Sequence, residues 1–191
     1  MNIAGIVLAA GASTRLGQPK QLLPYGHATF VEHAVDRLLA AGCDPVITVL
    51  GAYRDETAAV LAGSQTTVIY NEGWSSGMGS SIARGVRSLV EEAHRFDGLL
   101  ISLCDQPKIP LEHMSRLRCL FDAEECSIVA TEYEDGHVGV PAVFGSQHWE
   151  SLTSLSGDVG ARSIIASAAS RSVRLERSLS EDFDTPNDLC K

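Results

Sequence analysis

A single three-layer α/β domain with a mostly parallel, mixed sheet is the fold that this sequence predicts. Short apolar runs typical of buried strands, beginning with Ile3–Leu8, alternate along the chain with segments of helical period. Turn-forming glycines and prolines separate these segments, and the alternation favours parallel strands joined by right-handed crossovers. A length of 191 residues suits one domain, which we expect to span residues 1–191.

The individual elements follow from local signals taken in chain order. Thr29 and Glu32 have the spacing of a capping box and start the first helix, which Gly42 ends. The remaining strands are predicted at 46–50, 66–70, 99–103, 127–131, 142–144 and 171–175, and the remaining helices at 54–62, 82–90, 110–122 and 157–167.

An acidic composition limits the partners that this chain can bind. Its 24 Asp and Glu against 15 Lys and Arg give a net charge of −9, which argues against nucleic acid and anionic membranes. No run approaches the roughly 20 apolar residues of a membrane span. The five cysteines lack Cys-x-x-Cys spacing, which argues against zinc or disulfides and for reduced thiols in the cytoplasm. They are Cys43, Cys104, Cys119, Cys126 and Cys190.

The segment Leu8–Pro24, which follows the first predicted strand, has the features of an anion-binding loop. Gly11 and Gly17 let the backbone bend and approach a ligand, and successive N–H groups in such a turn can form a concave nest. Arg15 and Lys20 add a planar fork and a mobile point charge, both suited to phosphate. Ligands of open α/β sheets bind at this position. The alternative is a surface loop with two solvated cations.

The distribution of charge favours the anion site over a plain surface loop. No acid precedes Glu32, although an even spread of the 24 acids would place about four in the first 31 residues. Two familiar phosphate-binding motifs do not fit. A P-loop needs its glycines closer together and no Pro19 before the lysine, and a dinucleotide fingerprint needs glycine in place of Ser13 and Leu16.

A second chemical centre lies at Asp105, shortly after the apolar run 99–103. Its carboxylate is expected at the same edge of the sheet as the first loop. Mg²⁺ prefers one or two carboxylates together with substrate phosphates, so Asp105 fits a magnesium ligand. The alternatives are a structural cap or a helix-dipole contact, although Asp105 lies too far upstream of Pro110 to cap the next helix directly.

The first loop, LAAGASTRLGQPKQLLP, resembles the signature of the molybdenum-cofactor nucleotidyltransferases, within the wider nucleotide-triphosphate transferase superfamily. The matching positions are Leu8, Ala9, Gly11, Ser13, Arg15, Gly17, Lys20, Leu22 and Pro24. The resemblance extends from Ile3 to Leu189. It implies a Rossmann-like, glycosyltransferase-A-like nucleotidyltransferase fold, with the nucleotide at the carboxyl ends of the first strands.

The resemblance implies a nucleotide site in which Lys20, Arg15 and Asp105 are catalytic. The segment 71–81 is similar to that of the cytidine-using members, which implies that its glycine and serines lie near the base or ribose. The nucleotide-binding residues so implied are Leu8, Ala9, Ala10, Gly11, Ala12, Ser13, Thr14, Arg15, Lys20, Gly77, Ser80, Ser81 and Asp105. Taken alone, Ser80 or Ser81 fits the N-cap of the next helix, which needs no ligand.

The resemblance also implies a metal site and an acceptor site. Asp105 and Asp184 would hold Mg²⁺, with Asp182 as the other candidate in the element EDFDTP. The residues implied to face the second substrate are His137, Gly139, Pro141 and Arg162. A structural histidine, an arginine paired with an acid, and solvated surface carboxylates are the alternatives. Asp158 fits an N-cap for the helix 157–167.

The reaction that the resemblance implies is cytidylyl transfer. The terminal phosphate of molybdopterin would attack the α-phosphate of CTP and release pyrophosphate, and a transient contact with a recipient molybdoenzyme apoprotein is expected. The choice of CTP also draws on Ala10, where guanylyl-transferring relatives usually have glycine. Its methyl group would crowd a purine, and one methyl group is typically worth only ~1–3 kcal/mol of discrimination.

Two other functions remain open from the sequence. One is nucleotidyl transfer, including guanylyl transfer, to a different phosphorylated acceptor. The other is a non-catalytic nucleotide sensor or a nicotinamide-dependent oxidoreductase on the same fold. The missing dinucleotide fingerprint argues against the oxidoreductase, and a pure sensor would not need Lys20 and Asp105 together.

Overall fold

Strands and helices alternate along the chain, which the computed structural model describes for residues 1–91, 96–124, 126–179, 183 and 185. The strands are β1 (Ile3–Ala9), β2 (Pro24–Tyr25), β3 (Ala28–Thr29), β4 (Val46–Leu50), β5 (Thr67–Tyr70), β6 (Gly98–Leu103), β7 (Ile128–Glu132), β8 (Val138–Gly145) and β9 (Ser170–Arg174). The α-helices are α1 (Phe30–Ala40), α2 (Arg54–Val60), α3 (Met78–Glu91), α4 (Leu111–Glu124), α5 (Trp149–Thr153) and α6 (Arg162–Ser167). No helix within these ranges is long and apolar enough to cross a membrane.

Among the described residues, the main sheet has seven strands in the order β5-β4-β1-β6-β8-β7-β9. β4 and β6 pair in parallel with β1 on either side, β5 pairs in parallel with β4, and β9 with β7. β8 runs antiparallel to both of its neighbours, β6 and β7, so the sheet is mixed. The predicted α/β fold with a mostly parallel, mixed sheet is therefore confirmed. β2 and β3 form a separate two-stranded sheet.

Apolar layers lie on both faces of the sheet. One layer packs α1 and α4 against it through side chains such as Leu38 and Leu117. The other packs α3 and α6 against the opposite face through Val86 and Ile165. Every residue of β1 is buried, as expected for a continuous apolar strand between two helix layers.

The start of α1 follows the sequence prediction. Thr29 Oγ1 accepts a hydrogen bond from Glu32 N, and the Glu32 carboxylate accepts one from Thr29 N at 2.7 Å, which is the predicted capping box. Gly42 follows the helix with a φ of +81°, in the left-handed region that glycine adopts without strain. Cys43, Cys104 and Cys119 carry free thiols.

The predicted serine cap of α3 is wrong. The helix begins at Met78, so Ser80 and Ser81 lie inside its first turn. The turn closes earlier than predicted because Ser80 N already donates to Gly77 O at 3.2 Å. Ser80 Oγ donates to the same carbonyl oxygen at 2.8 Å.

Two further local predictions need correction. α6 begins at Arg162, its N-cap is Ala161 and no side chain caps it, so Asp158 lies too far upstream for the predicted role. β8 covers Val138–Gly145 and is longer than the predicted strand 142–144. It is longer because it pairs with strands on both sides, with β7 along its first half as well as its second.

Candidate active site

A tight turn centred on Ser13 shapes the loop after β1. Ser13 has a φ of 51°, and its carbonyl oxygen accepts hydrogen bonds from Leu16 N at 3.0 Å and Gly17 N at 3.1 Å. Ser13 Oγ accepts a third from Lys20 N at 3.1 Å, which fixes where the lysine leaves the loop. Among the residues predicted to bind nucleotide, Leu8, Ala9 and Ala10 are buried, Ala12 and Ser13 are half-buried, and Gly11, Thr14 and Arg15 are exposed.

Lys20 and Asp105 meet just beyond the carboxyl ends of the adjacent strands β1 and β6. Lys20 Nζ donates to Asp105 Oδ2 in an ion pair whose side chains are only 16% and 13% exposed. Asp105 Oδ1 is buried and has no hydrogen-bond partner in the described part of the chain. Buried polar atoms without a partner are rare, and one explanation is a group that binds there. The pair thus offers a cation for phosphate and an oxygen atom for a metal ion.

The chain returns to Asp105 at Phe183. Phe183 N donates to the Asp105 carbonyl oxygen at 3.2 Å, and the ring of Phe183 lies 5.1 Å from that of Phe30. Asp182 and Asp184, the candidates for a further metal ligand, lie outside the described residues, so their role stays a prediction.

Asn71 organises the start of α3, where the predicted base-side residues lie. Its Nδ2 donates to Ser80 Oγ at 2.9 Å and to Ser81 Oγ at 3.0 Å, and its Oδ1 accepts from Gly73 N at 3.0 Å. This anchoring role was not predicted from the sequence. The signal was an asparagine directly after a strand and ahead of a glycine-rich loop.

Gly77 is required by packing as well as by its backbone conformation. Its φ is +119°, and a Cβ at this position would lie 2.3 Å from the carbonyl carbon of Gly157. Gly79 N donates to Gly157 O at 2.9 Å, so the loop 156–160 lies directly on the start of α3. The missing side chain at Gly77 is therefore explained without a nucleotide, and its place in the nucleotide site stays a prediction.

Ala10 is almost fully buried, which weakens the case that its methyl group selects the base. The residue is 6% exposed, and its carbonyl oxygen accepts a hydrogen bond from Ala52 N at 3.0 Å. A Cβ on the neighbouring Gly51 would lie 2.7 Å from that same carbonyl oxygen and 2.5 Å from Trp74 Cβ. With only 6% of the residue exposed, the methyl group has little surface with which to crowd a purine.

A cavity of about 1090 Å³ opens next to Gln106, the residue after Asp105. Its wall comes from the end of β6, the turn between β7 and β8, and the segment 158–166. Three of the residues predicted to face the second substrate line it: His137, Gly139 and Arg162. Pro141 is buried and does not line it. The other charged residues of the wall are Glu134, Asp135, Asp158 and Arg177.

An aromatic pair forms one part of the cavity wall. The rings of Tyr133 and His137 are stacked, with centroids 4.3 Å apart and planes 10° from parallel. His137 N donates to Asp135 Oδ1 at 3.1 Å, and its ring Nδ1 contacts the same oxygen. The backbone hydrogen bond, followed by the one from the ring, lowers the pKa of Asp135 below its ordinary value. His137 is therefore oriented by two contacts and lies in the wall rather than in the core.

Two buried hydrogen-bond chains hold this wall in place. Gln106 Nε2 donates to Tyr133 Oη at 3.0 Å, and Tyr133 Oη donates to Val140 O. In the second chain, His113 Nε2 lies 2.8 Å from Thr131 Oγ1, which donates to Pro141 O at 2.7 Å.

These chains tie consecutive carbonyl groups of β8 to α4 and to the loop that carries Asp105. None of their side chains was predicted from the sequence, because only the fold brings them together.

His113 is buried in its neutral form. Burial, with the positive charge of Arg116 second, lowers the pKa of His113 to about 4. Because the Thr131 hydroxyl hydrogen goes to Pro141 O, we assign the Nε2 hydrogen of His113 to the bond with Thr131 Oγ1.

Comparison with known protein families matches residues 5–174 to the family described as MobA-like NTP transferase domain. The chain belongs to this family. This confirms the NTP transferase superfamily that the first loop predicts, and leaves the choice among its members open. Relatives of this NTP transferase include nicotine blue oxidoreductase of Paenarthrobacter nicotinovorans, which is 36% identical over 166 residues, covering 84% of this chain and 79% of that protein.

Further relatives carry different names. The purine catabolism protein PucB of Bacillus subtilis (strain 168) is 30% identical over 200 residues, covering 97% of this chain and 93% of its own length. A probable molybdenum cofactor guanylyltransferase of Bacillus cytotoxicus is 28% identical over 130 residues, covering 67% of this chain and 61% of that protein.

Solved structures share the whole fold. Rv0371c of Mycobacterium tuberculosis H37Rv superimposes with a TM-score of 0.85 at 32% identity, covering all of this chain and 96% of that one. A second structure of Rv0371c, described as a complex with manganese, has a TM-score of 0.81 at 30% identity, with coverage of 100% and 97%.

Proposed function

We propose that this protein transfers CMP from CTP to the terminal phosphate of molybdopterin and releases pyrophosphate. The observation that carries the proposal is the meeting of Lys20 and Asp105 between the loop after β1 and the large cavity. Family membership supports nucleotidyl transfer as the reaction class. Relatives named as probable molybdenum cofactor guanylyltransferases support a molybdenum-cofactor acceptor.

The reaction exchanges one bond to phosphorus for another. An oxygen of the acceptor phosphate attacks the α-phosphorus of the nucleotide, and the bond from that phosphorus to the oxygen bridging the β-phosphorus breaks. The attacking phosphate is already ionised near neutral pH, so no general base is needed. The work of the protein is therefore positioning and the stabilisation of negative charge.

Each basic group of the loop has a part in that work. Lys20 Nζ leaves Asp105 and donates to an oxygen of the α-phosphate, where charge builds up as the bonds exchange. The exposed guanidinium of Arg15 and the N–H groups of residues 11–14 hold the β- and γ-phosphates.

The residues present fit a divalent metal ion. Asp105 Oδ1 is a buried anionic oxygen without a partner, which is the kind of ligand that Mg²⁺ prefers. In the described ranges no group of three His, Cys, Asp or Glu side chains could hold a metal, which fits an ion shared between few carboxylates and substrate phosphates. We assign Asp105, with Asp184 as the second carboxylate, to Mg²⁺. When bound, the ion would offset negative charge on the phosphate oxygens.

The cavity is proposed as the acceptor site. The exposed Arg162 can bind an anionic group of the acceptor, and the flat Tyr133–His137 pair offers a surface on which a pterin ring can stack. Gly139 lines the cavity beside this pair, and a Cβ there would lie 3.7 Å from the Tyr133 ring. The choice of CTP depends on the similarity of segment 71–81 to cytidine-using members, since the enclosed Ala10 carries little weight. GTP is the rival nucleotide, because two relatives are named as probable molybdenum cofactor guanylyltransferases.

A second candidate is an oxidoreductase that uses a nicotinamide cofactor, and the observation in its favour is that the 36% identical relative is named an oxidoreductase. Nucleotidyl transfer is preferred because a hydride transfer has no use for the pairing of Lys20 with Asp105 next to an unpartnered carboxylate oxygen.

The test is to incubate the purified protein with Mg²⁺, molybdopterin or its molybdenum-loaded form, and CTP, GTP, ATP or UTP, and to measure pyrophosphate. Release that requires the acceptor and occurs with CTP alone is the expected result. Release with GTP instead would keep the reaction and overturn the choice of base. No release with any nucleotide, together with oxidation of NADPH by an added electron acceptor, would favour the oxidoreductase.

A further inference from the structure

Gln21 is a fully buried polar residue that no part of the proposed mechanism uses. It is 0% exposed and directly follows Lys20. Its Nε2 donates one hydrogen bond to Ala9 O at 2.9 Å and another to Gly11 O at 2.7 Å. The two carbonyl oxygens fix which end of the side chain is the amide nitrogen, because an amide oxygen there could donate to neither.

The carbonyl group between these two is also turned into the protein. Ala10 O accepts a hydrogen bond from Ala52 N at 3.0 Å. The carbonyls of three consecutive residues at the start of the loop, Ala9, Ala10 and Gly11, are therefore all bound within the protein. Their partial negative charges are satisfied by donors within the protein.

Because the peptide bond is planar, the direction of each carbonyl group also fixes the direction of the N–H group that follows it. In a trans peptide the C=O of one residue and the N–H of the next point in opposite directions. The bonds to Gln21 consequently turn the N–H groups of Ala10 and Ala12 away from that side chain, and the bond from Ala52 N to Ala10 O turns the N–H group of Gly11 away from Ala52. Within the described part of the chain, the N–H groups of Gly11 and Ala12 donate no hydrogen bond. They are available to an anion.

We propose that Gln21 is a positioning residue that directs the N–H groups of the loop after β1 toward the phosphates of the nucleotide. The inference rests on the proposed function, since it assigns this loop to the triphosphate. Gln21 touches no phosphate itself and acts through the two carbonyl groups that it holds. A hydrogen bond made by a fully buried amide is also protected from competition with water, so the orientation is kept when the site is empty.

The variant Gln21→Met tests the inference because it keeps the length of the side chain and removes both donors. Its matched control is Gln18→Met, the same change at an exposed position of the same loop. We would measure the affinity of each folded protein for inorganic tripolyphosphate in the presence of Mg²⁺, by calorimetry. Gln21→Met should bind about tenfold more weakly than the wild type, from the loss of two buried hydrogen bonds, and Gln18→Met should bind like the wild type.

The outcomes separate the inference from the proposed function. If the wild type binds tripolyphosphate and Gln21→Met binds it equally well, the inference is wrong and the proposed phosphate site stands. If the wild type does not bind it, the phosphate site fails and the inference falls with it.

A measurement on the wild type covers the case in which Gln21→Met does not fold. Amide NMR signals of Gly11 and Ala12 should shift on addition of tripolyphosphate, and the Gln21 side-chain hydrogens should exchange slowly with solvent. Binding that shifts the signals of other loop residues while those of Gly11 and Ala12 stay in place would contradict the inference.

Discussion

The proposed nucleotide side and the proposed acceptor side of the candidate site are built in different ways. The nucleotide side is proposed to come mainly from one continuous stretch, the loop 8–24, in which Ser13 binds Lys20 N and Gln21 binds the carbonyl groups of Ala9 and Gly11. The acceptor cavity is lined by separate segments between Met78 and Arg177, which only the sheet and its helices bring together.

The difference shows which parts of a site local sequence can encode. A turn and its charged residues depend on neighbours a few positions away, so spacing and residue type describe them well. The cavity wall depends on contacts such as Gln106 with Tyr133 and His113 with Thr131, which are 27 and 18 residues apart. Lys20 and Asp105, 85 residues apart, connect the two sides.

The largest effect is expected from substitution of Lys20, which pairs with Asp105. Lys20→Met should lower the rate of pyrophosphate release about 100- to 1,000-fold, because the α-phosphate loses its preorganised cation. The nucleotide KM should change far less than kcat, since Arg15 and the loop amides still hold the β- and γ-phosphates. Steady-state kinetics with a circular-dichroism check of the fold measure both. A Lys20→Met protein with the kcat of the wild type would contradict the assignment of Lys20 to the α-phosphate.

A second large effect is expected at Gly77, which lies against the backbone of Gly157. Gly77→Ala should destabilise the protein by roughly 3 kcal/mol or more, because its Cβ would collide with the Gly157 backbone at a positive φ. Gly63→Ala is the matched control, since Gly63 also has a positive φ, +96°, but nothing lies within 4 Å of its added Cβ. Urea unfolding of both variants separates collision from backbone strain. Equal losses would show that strain alone accounts for Gly77.

A moderate effect is expected from acid on the acceptor side. Burial lowers the pKa of His113 to about 4, below the 6.5 of an unfolded chain, so the unfolded state binds the proton more readily. Its contribution to stability is full above about pH 6.5 and is lost as the pH falls toward about 4, on the order of 2 kcal/mol. His113→Gln should flatten the fall in unfolding free energy over this range. The same slope in variant and wild type would mean that other groups produce it.

The smallest effect is expected at Arg162, and it tests whether the acceptor and the nucleotide bind at separate places. Arg162→Ala should raise the KM for the acceptor about tenfold, the loss of one exposed charged contact, and leave the nucleotide KM unchanged. Arg174→Ala is the control, because Arg174 is exposed on the edge strand β9 and does not line the cavity. A change in the nucleotide KM on substitution of Arg162 would contradict a separate acceptor site.

Much of the fold could be predicted because its signals are local. The buried strands β1, β4 and β6 are continuous apolar runs, and the capping box at Thr29 fixes the start of α1. The extent of β8 was missed because antiparallel pairing with two neighbours lengthens it, and pairing partners are not encoded nearby. The start of α3 was missed because a close approach to Gly157 places it two residues before the serines.

The residues of the candidate site also fall into those that local sequence predicts and those that only the fold brings together. Lys20 and Asp105 follow from loop spacing and from position at a strand end, and the structure brings them into contact. Gln106, Thr131 and Tyr133 carried no local signal, because each acts by orienting a residue that is distant or unremarkable in sequence. The part of Ala10 in the choice of base stays a prediction, since a sequence does not show that this residue is only 6% exposed.

The most direct test of nucleotidyl transfer follows the phosphorus atoms. CTP labelled with radioactive phosphorus at the α-position is incubated with the protein, Mg²⁺ and molybdopterin, and CTP labelled at the γ-position is used in parallel. Our account predicts that the α-label moves to the molybdopterin product and that the γ-label leaves in pyrophosphate. A γ-label on the acceptor, or an α-label found only in free CMP, would contradict it.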